Sequence, residues 1–264
     1  MKLDTDKMLA EKDGAIGWVT FNNPARRNAM SLEMWAALDA ILSDFEADPA
    51  IRAVVMRGAG DKAFVSGADI SQFAEKRADA EAAAAYARTS ENARQRLASI
   101  TKPLIAMIRG FCMGGGLGIA MKADVRFAAD DSIFAIPAAR LSIAYSFDNV
   151  RDLVNLVGPS FAKDILFSAR RLSADEALRI GLVNRVVAPD ALEGVVREYV
   201  GLLADNAPLS MRASKATVNE VIRDAADRDM DLIEQLGRAC FDSADYAEGR
   251  QAFMEKRRPV FRGV

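Results

Sequence analysis

Histidine is absent from the 264-residue chain. A Ser-His-Asp triad, a Cys-His pair and most catalytic zinc sites require an imidazole ring, so these kinds of site are excluded. Any chemistry must use backbone amides, carboxylates, hydroxyl groups, lysine, arginine or tyrosine. We accordingly expect no metal site.

Cysteine, net charge and long apolar runs are also scarce. The two cysteines, Cys112 and Cys240, lie far apart, and the first residues lack the apolar stretch of a secretory signal. No apolar run is long enough to span a bilayer, and a net charge of -2 offers no general basic surface for nucleic acid. These features predict a cytoplasmic protein that binds neither nucleic acid nor membranes.

Strand-like and helical segments alternate over the first two-thirds of the chain. A helix capped by Ser31 is predicted at residues 31–48, and an alanine-rich helix at about 78–100. Strands are predicted at residues 15–21, 52–58, 102–110 and 124–129, with another just ahead of residue 66. This alternation is typical of an α/β fold with a mostly parallel sheet.

The last third of the sequence has a different pattern. Strand signals fade after about residue 150, and Ser173 with Glu176 predicts a capping box at the start of a helix that closes on Gly181. Residues 190–256 are predicted to be helical almost throughout, with breaks at Pro208 and at residues 223–231. We therefore expect a helical C-terminal third.

Four glycines lie where a predicted strand passes into a helix, at Gly114, Gly115, Gly116 and Gly118. Each costs stability relative to alanine, which indicates that something approaches the main chain closely. Tight packing of helix on strand is one explanation. An anion-binding site is the other, because the turn at residues 66–69, Ser-Gly-Ala-Asp, also follows an apolar strand. Amides from two such turns can converge on one oxygen, aided by the positive end of a helix dipole.

Five segments together resemble the crotonase, or enoyl-CoA hydratase/isomerase, superfamily. They keep the family order and spacing over nearly the whole chain: NNPARRNAMS (22–31), KAFVSGADI (62–70), KPLIAMIRGFCMGGGLGIAMKADVRFA (102–128), LSADEALRIGLVNRVV (172–187) and AFMEKRRPVFRG (252–263). The resemblance implies an α/β spiral of ββα units at residues 1–190 and a C-terminal helical trimerisation region at residues 191–264. It further implies a homotrimer or homohexamer and an acyl-CoA substrate, with coenzyme A as part of the thioester and no separate cofactor.

The resemblance also implies roles for individual residues. It maps the two amides of an oxyanion hole, which would hold the thioester carbonyl, onto Ala68 and Gly115. The positions that it associates with coenzyme A are Arg26, Arg27, Ser66, Ala68, Phe253 and Lys256. Cations at such positions would attract the phosphates, and the last two would reach the nucleotide end, often from a neighbouring subunit. For the charged residues, an ordinary role on the solvated surface is the alternative.

Both glutamates that hydratases of this family use to activate water are replaced, by Gly118 and Ala138. Losing a proton-transfer group costs about 10²–10⁴-fold in rate, so efficient hydration by the family mechanism is not expected. Decarboxylation of a malonyl-type thioester needs no base, because loss of CO₂ leaves the bonding electron pair on the thioester as an enolate. Tyr145 resembles the tyrosine that orients the substrate carboxylate in methylmalonyl-CoA decarboxylases of this superfamily. A tyrosine that merely packs over the acyl pocket is the alternative.

Asp148 is the nearest remaining carboxylate to the predicted acyl pocket. It would serve as the base of an isomerase or an unorthodox hydratase, while the alternative is an N-cap for the following helix. The sequence therefore favours an enolate-forming lyase that acts on acyl-CoA. An enoyl-CoA hydratase or isomerase that uses Asp148 and Tyr145, and a non-catalytic acyl-CoA-binding subunit, remain open.

Overall fold

Two sheets organise the part of the chain that the computed structural model describes, residues 3–69 and 80–264. The larger sheet contains, in spatial order, β1 (Met8–Asp13), β2 (Ile16–Phe21), β3 (Ala53–Gly58), β5 (Leu104–Ile108), β7 (Val125–Ala129) and β10 (Arg185–Val187). The smaller sheet contains β4 (Ala63–Val65), β6 (Phe111–Met113), β8 (Ile133–Ala135) and β9 (Leu172–Ser173). The terminal strands β1 and β9 are antiparallel to their neighbours, and all other pairs are parallel.

Helices follow the strand pairs and then dominate the end of the chain. The α-helices are α1 (Leu32–Ala47), α2 (Ala80–Ser99), α3 (Gly115–Met121), α4 (Phe147–Ser168), α5 (Ala174–Arg179), α6 (Leu192–Ala204), α7 (Pro208–Val221), α8 (Met230–Phe241) and α9 (Ala244–Glu255). Short 3₁₀ helices lie at Pro24–Arg26, Pro137–Leu141 and Ala225–Asp227.

One unit of two strands and a helix occurs three times in succession. In β3-β4-α2, β5-β6-α3 and β7-β8-α4, the first strand joins the larger sheet and the second joins the smaller sheet. Each unit thus advances both sheets by one strand. This arrangement confirms the α/β spiral of ββα units that the sequence predicts.

The hydrophobic core lies on both sides of the larger sheet, where apolar helix faces pack on the strands. The predicted inner face of α1 is buried throughout, at Met34, Leu38, Ile41, Leu42 and Phe45. On the other side of the larger sheet, α6 packs against a second apolar cluster that includes Trp18 and Phe127. Both faces of the larger sheet are thereby covered, as parallel strands require.

Most predicted elements are confirmed, with boundaries shifted by one or two residues. The predicted strands correspond to β2, β3, β4, β5 and β7, and the helix after Ser31 corresponds to α1. The alanine-rich helix is α2, whereas its predicted residues 78 and 79, like residue 70 of the 62–70 segment, lie outside the described residues. The sequence did not indicate β1, β6 or β8.

The expected loss of strands after residue 150 is wrong in part. Two further strands, β9 and β10, complete the edges of the two sheets. They contain two and three residues, which is too short for a periodic pattern to develop. The capping box is confirmed, because Ser173 accepts from the amide of Glu176 and the Glu176 side chain accepts from the amide of Ser173.

The helical C-terminal third is confirmed as well. Pro208 opens α7 in the first helical turn, and the 3₁₀ helix at Ala225–Asp227 marks the second predicted break. Among the described residues, no helix is both long and apolar enough to cross a bilayer. The division at residue 190 stays a prediction.

Candidate active site

The turn at residues 66–69 is held against the segment that leads into α1. Met30 forms an isolated parallel bridge with Ala68, in which the Met30 amide donates to the Gly67 carbonyl at 2.8 Å and the Asp69 amide donates to the Met30 carbonyl at 2.9 Å. In this pattern the amide of Ala68 itself faces away from Met30. Ala68 is exposed, although its two neighbours are buried.

The three consecutive glycines serve three different purposes. Gly114 has a φ of +49°, in the region that favours glycine, and its amide donates to Ala135 at 2.8 Å. A Cβ at Gly116 would lie 2.0 Å from the carbonyl oxygen of Val65, so no side chain fits there. Gly115, by contrast, is exposed. Tight packing of helix on strand therefore explains Gly116, and the surface at Gly115 is left open.

The structure brings Gly115 and Ala68 together, as the sequence predicts. A Cβ at Gly115 would lie 3.8 Å from the amide nitrogen of Ala68, and a Cβ at Gly67 would lie 3.9 Å from the amide nitrogen of Gly115. Neither amide donates to another described residue. Two unpaired main-chain donors therefore lie side by side where the chain is exposed.

Gly118, on the helix that begins at Gly115, has no side chain, and two polar side chains from the region around the start of α4 lie next to it. A Cβ at Gly118 would lie 3.4 Å from the Tyr145 hydroxyl oxygen and 3.3 Å from the Asn149 amide oxygen. The space that a longer side chain at residue 118 would need is thus occupied. Asn149 escaped the sequence analysis, and no periodic pattern marked it, because Tyr145 lies in the loop before the N-cap Ser146 and Asn149 lies in the first turn of α4.

Tyr145 is engaged with the glycine turn itself. Its hydroxyl donates to the carbonyl oxygen of Gly114 at 3.2 Å. Burial raises the pKa of this hydroxyl, so that it stays protonated and able to donate at neutral pH. The predicted acyl-pocket tyrosine is therefore adjacent to the predicted oxygen-binding turn.

Asp148 has a different setting from Tyr145. Its side chain is largely exposed and pairs with Arg151, one helical turn away, at 3.1 Å. The expectation that Asp148 is the N-cap is wrong, because Ser146 occupies that position and Asp148 lies inside the first turn of α4. Ala138, at the other predicted glutamate position, is half-buried against the core.

Three of the predicted coenzyme A positions lie next to one another. The Ser66 amide donates to the Arg27 carbonyl at 3.1 Å, and the Ser66 hydroxyl donates to the Arg26 carbonyl at 3.3 Å. Both arginines are exposed, and the Arg27 guanidinium lies 5.1 Å from the centre of the Phe111 ring. The backbone of both arginines is therefore held beside the turn that carries Ala68.

Two of the six predicted coenzyme A positions belong to the C-terminal helices, and Ala68 lies in the turn described above. Phe253 lies on α9 with 83% of its surface exposed, and Lys256 is the residue that ends this helix, with a φ of +53°. Within a single chain, no described contact brings either residue to Ala68 or Gly115. Their predicted role stays a prediction that depends on a neighbouring subunit.

Comparison with known proteins finds relatives that match nearly the full length of the chain. The family model for enoyl-CoA hydratase/isomerase matches residues 11–264. The chain is 34% identical over 256 residues to the short-chain-enoyl-CoA hydratase of Clostridium acetobutylicum, with 97% of each chain covered. It is also 34% identical to the crotonyl-CoA hydratase of Syntrophomonas wolfei, covering 97% of this chain and 98% of that one.

A solved structure agrees with these sequence comparisons. The enoyl-CoA hydratase/carnithine racemase from Magnetospirillum magneticum superposes with a TM-score of 0.92 at 37% identity, over 99% of this chain and 97% of that chain. The protein belongs to the enoyl-CoA hydratase/isomerase family, which confirms the resemblance inferred from the five sequence segments.

Proposed function

We propose that the protein is an enzyme that acts on acyl-CoA thioesters through an enolate held by the amides of Ala68 and Gly115. The observation that carries this proposal is the side-by-side position of two unpaired, exposed N–H groups. Fixed amides aimed at one oxygen stabilise the negative charge that develops on a thioester carbonyl. They do so however the enolate is formed.

The favoured reaction is decarboxylation of a malonyl-type thioester. The bond between the α-carbon and the carboxylate carbon breaks, CO₂ leaves, and the bonding electron pair moves into the thioester as an enolate. A proton from solvent then completes the product. Gly118 and Ala138 support this choice, because neither contributes a carboxylate that would repel the substrate's own or activate water.

The hydroxyl of Tyr145 is the first candidate for orienting the substrate carboxylate. It lies beside Gly118, and in the structure its proton is directed at Gly114. The neighbouring carboxamide of Asn149 supplies a second polar group beside Gly118. To bind a substrate carboxylate, Tyr145 would turn its single proton from the Gly114 carbonyl to the substrate, and Asn149 would present its amide nitrogen in place of the oxygen that faces Gly118.

Hydration or isomerisation is the second candidate function. It is favoured by two relatives at 34% identity, one named a short-chain-enoyl-CoA hydratase and the other a crotonyl-CoA hydratase. Asp148 would then have to act as acid or base, assisted by Tyr145. Its exposure and its ion pair with Arg151 weigh against that role in this conformation. A subunit that binds acyl-CoA without turning it over is the third possibility.

Coenzyme A binding is proposed at the surface next to the turn at residues 66–69. Arg26 and Arg27 would approach the phosphates, since both are exposed and Ser66 ties their backbone to the turn. Phe253 and Lys256 would contribute from another subunit of a homotrimer or homohexamer. We further propose that the protein functions in the cytoplasm.

Mass spectrometry of a panel of CoA thioesters distinguishes the three functions. Malonyl-CoA and methylmalonyl-CoA should lose CO₂, whereas crotonyl-CoA should gain water very slowly or not at all. Rapid hydration of crotonyl-CoA with malonyl-type thioesters untouched would replace the decarboxylase proposal by the hydratase one. Tight binding of acyl-CoA with no change of mass in any member would indicate the non-catalytic subunit.

Substitution Gly115→Val tests the role of the two amides in turnover. The added side chain would project toward the Ala68 amide, and a rate loss of at least about 100-fold is expected, the magnitude for losing one oxyanion donor. The fold should survive, because a Cβ at Gly115 meets nothing closer than 3.8 Å. Gly194→Val is the matched control, since a Cβ at Gly194 on α6 meets no atom within 4 Å. Full activity of Gly115→Val would contradict the assignment.

A further inference from the structure

The peptide between Gly114 and Gly115 carries two opposed polar groups. Its N–H is one of the two unpaired donors, and its carbonyl oxygen accepts from the Gly118 amide at 3.0 Å and from the Tyr145 hydroxyl at 3.2 Å. No cis peptide bond occurs among the described residues, so the N–H and the carbonyl of this peptide point in opposite directions. Tyr145 therefore contacts the same peptide from the side away from Ala68.

Hydrogen bonds to an amide carbonyl strengthen the N–H of the same peptide. The peptide bond is conjugated, so a donor at the oxygen draws electron density from the nitrogen, and successive hydrogen bonds polarise one another. The bond from Gly118 is an ordinary bond of α3, whereas the bond from Tyr145 comes from 31 residues beyond Gly114 in the sequence. The second donor is thus an addition to what the helix alone provides.

We propose that Tyr145 is a positioning residue that orients and polarises the Gly114–Gly115 peptide, so that the Gly115 N–H binds the thioester oxygen more strongly. The inference rests on the proposed function, because it gives Tyr145 a role in the same oxygen-binding site. It differs from that proposal in its target. Tyr145 acts on the protein backbone, and its effect does not require a carboxylate on the substrate.

The absence of a side chain at residue 118 is part of this arrangement. A Cβ there would lie 3.4 Å from the Tyr145 hydroxyl oxygen, and anything longer would displace the hydroxyl from Gly114. The missing glutamate thereby makes room for the hydrogen bond. One helical turn further on, the ion pair of Lys122 with Asp152, at 2.6 Å and mostly buried, joins the end of α3 to α4 and fixes the two helices relative to each other.

Infrared difference spectroscopy tests this role directly. The probe is butyryl-CoA labelled with ¹³C at the thioester carbonyl, which has no carboxylate for Tyr145 to bind. Wild-type protein should shift the carbonyl band to lower wavenumber on binding. Tyr145→Phe should shift it by clearly less, and kcat on the accepted substrate should fall about threefold to tenfold, the range for one neutral hydrogen bond. Tyr199→Phe is the matched control, because the Tyr199 ring packs on Phe127 on the far side of the larger sheet.

A second variant keeps the phenol and disturbs the same bond. Gly118→Val places methyl groups beyond the Cβ position, in the space of the hydroxyl, and should reduce the band shift in the same direction as Tyr145→Phe. This variant serves as the decisive one if Tyr145→Phe does not fold.

The outcomes separate the inference from the proposed function. A full wild-type shift in both Tyr145→Phe and Gly118→Val overturns the inference and leaves the proposed function standing. A loss of rate confined to malonyl-type substrates, with the butyryl-CoA band unchanged, also overturns it. A wild-type protein that leaves the carbonyl band unshifted overturns the proposed function and the inference together.

Discussion

The ββα spiral and the C-terminal helices differ in how completely they bury their apolar side chains. In the spiral, Trp18, Phe21 and Phe134 are almost wholly inaccessible, and the most exposed aromatic side chains are Phe147 and Phe167 at the two ends of α4. Along α7, α8 and α9, large apolar side chains stay exposed: Val218, Val221, Met230, Phe241, Phe253 and Met254. Isolated exposed apolar residues are ordinary, but a concentration of them in one region usually marks a surface that another molecule covers.

Polar contacts attach the C-terminal helices to the spiral. Lys215 on α7 bonds the Asp124 carboxylate at 2.7 Å and the Lys102 carbonyl at 3.0 Å. The guanidinium of Arg52, just before β3, donates to the carbonyl oxygens of Asn206 at 3.3 Å and Phe261 at 3.4 Å. These bonds fix the direction of the helices without covering their apolar faces. The spiral can thus fold around its own core, and the C-terminal helices are expected to complete theirs by association.

The largest expected difference between the two regions concerns glycine. Gly116→Ala should lower the free energy of unfolding by at least about 2–3 kcal/mol, since its Cβ would lie 2.0 Å from the Val65 carbonyl. Gly237→Ala on α8 should raise it by about 0.5–1 kcal/mol, because a Cβ there meets nothing within 4 Å and alanine favours the helix.

Urea unfolding at one fixed protein concentration measures both variants. Fluorescence of Trp18 and Trp35 reports on the spiral, where both are buried, and circular dichroism reports on all helices. Equal effects of the two alanine variants would contradict the contrast between the regions.

Association in solution is the next largest effect. Light scattering at micromolar concentration should give a trimer or a hexamer, because the exposed apolar side chains of α7, α8 and α9 are expected to be covered by other copies of the chain. Interfaces of this obligate kind typically bury more than about 2,000 Å² in total. The double variant Val218→Glu with Val221→Glu should shift the mass toward the monomer by placing two charges on an exposed apolar face of α7. Leu9→Glu, at a partly exposed position of β1 in the spiral, should leave the mass unchanged. A monomeric wild-type protein would show that the C-terminal helices need no partner copy.

The smallest expected effect is the difference in reactivity between the two cysteines, one in each region. Cys112 on β6 is fully buried, and burial raises the pKa of its thiol, so a thiol reagent should not reach it in the native protein. Cys240 on α8 is half-buried and should react first. Labelling followed by mass spectrometry should give one modified thiol under native conditions and two in urea. The Cys240→Ser variant should then show none before unfolding, and prompt labelling of Cys112 would indicate that the spiral opens locally.

Periodicity was sufficient for the long elements of the fold. The apolar face of α1 and the strands β2, β3, β5 and β7 followed from local patterns that the tertiary structure preserves. The strands of the smaller sheet contain two or three residues each. These strands pair with segments that are distant in the sequence, so a local pattern cannot predict the pairing.

The candidate site was predictable where it consists of backbone, and less so where side chains from distant segments meet. Resemblance indicated Ala68 and Gly115, and the structure brings them together. The hydrogen bond from Tyr145 to Gly114 depends on the path of the loop before α4, which sequence patterns do not specify. Asp148 was misjudged as a cap for a related reason, because the helix begins two residues earlier than expected.

The bridge between Met30 and Ala68 also sets a distance. The same short segment that contains Arg26 and Arg27 continues into Met30, which holds the turn carrying the Ala68 amide. For a ligand that contacts both the cations and the amide, one continuous backbone segment therefore sets the distance between the two contact points. Lengthening that segment by a single residue would move the two contact points apart by up to about 3.3 Å, the rise of one extended residue. In the proposed site, the number of residues between Arg27 and Met30 would thus set the separation between the cations and the Ala68 amide.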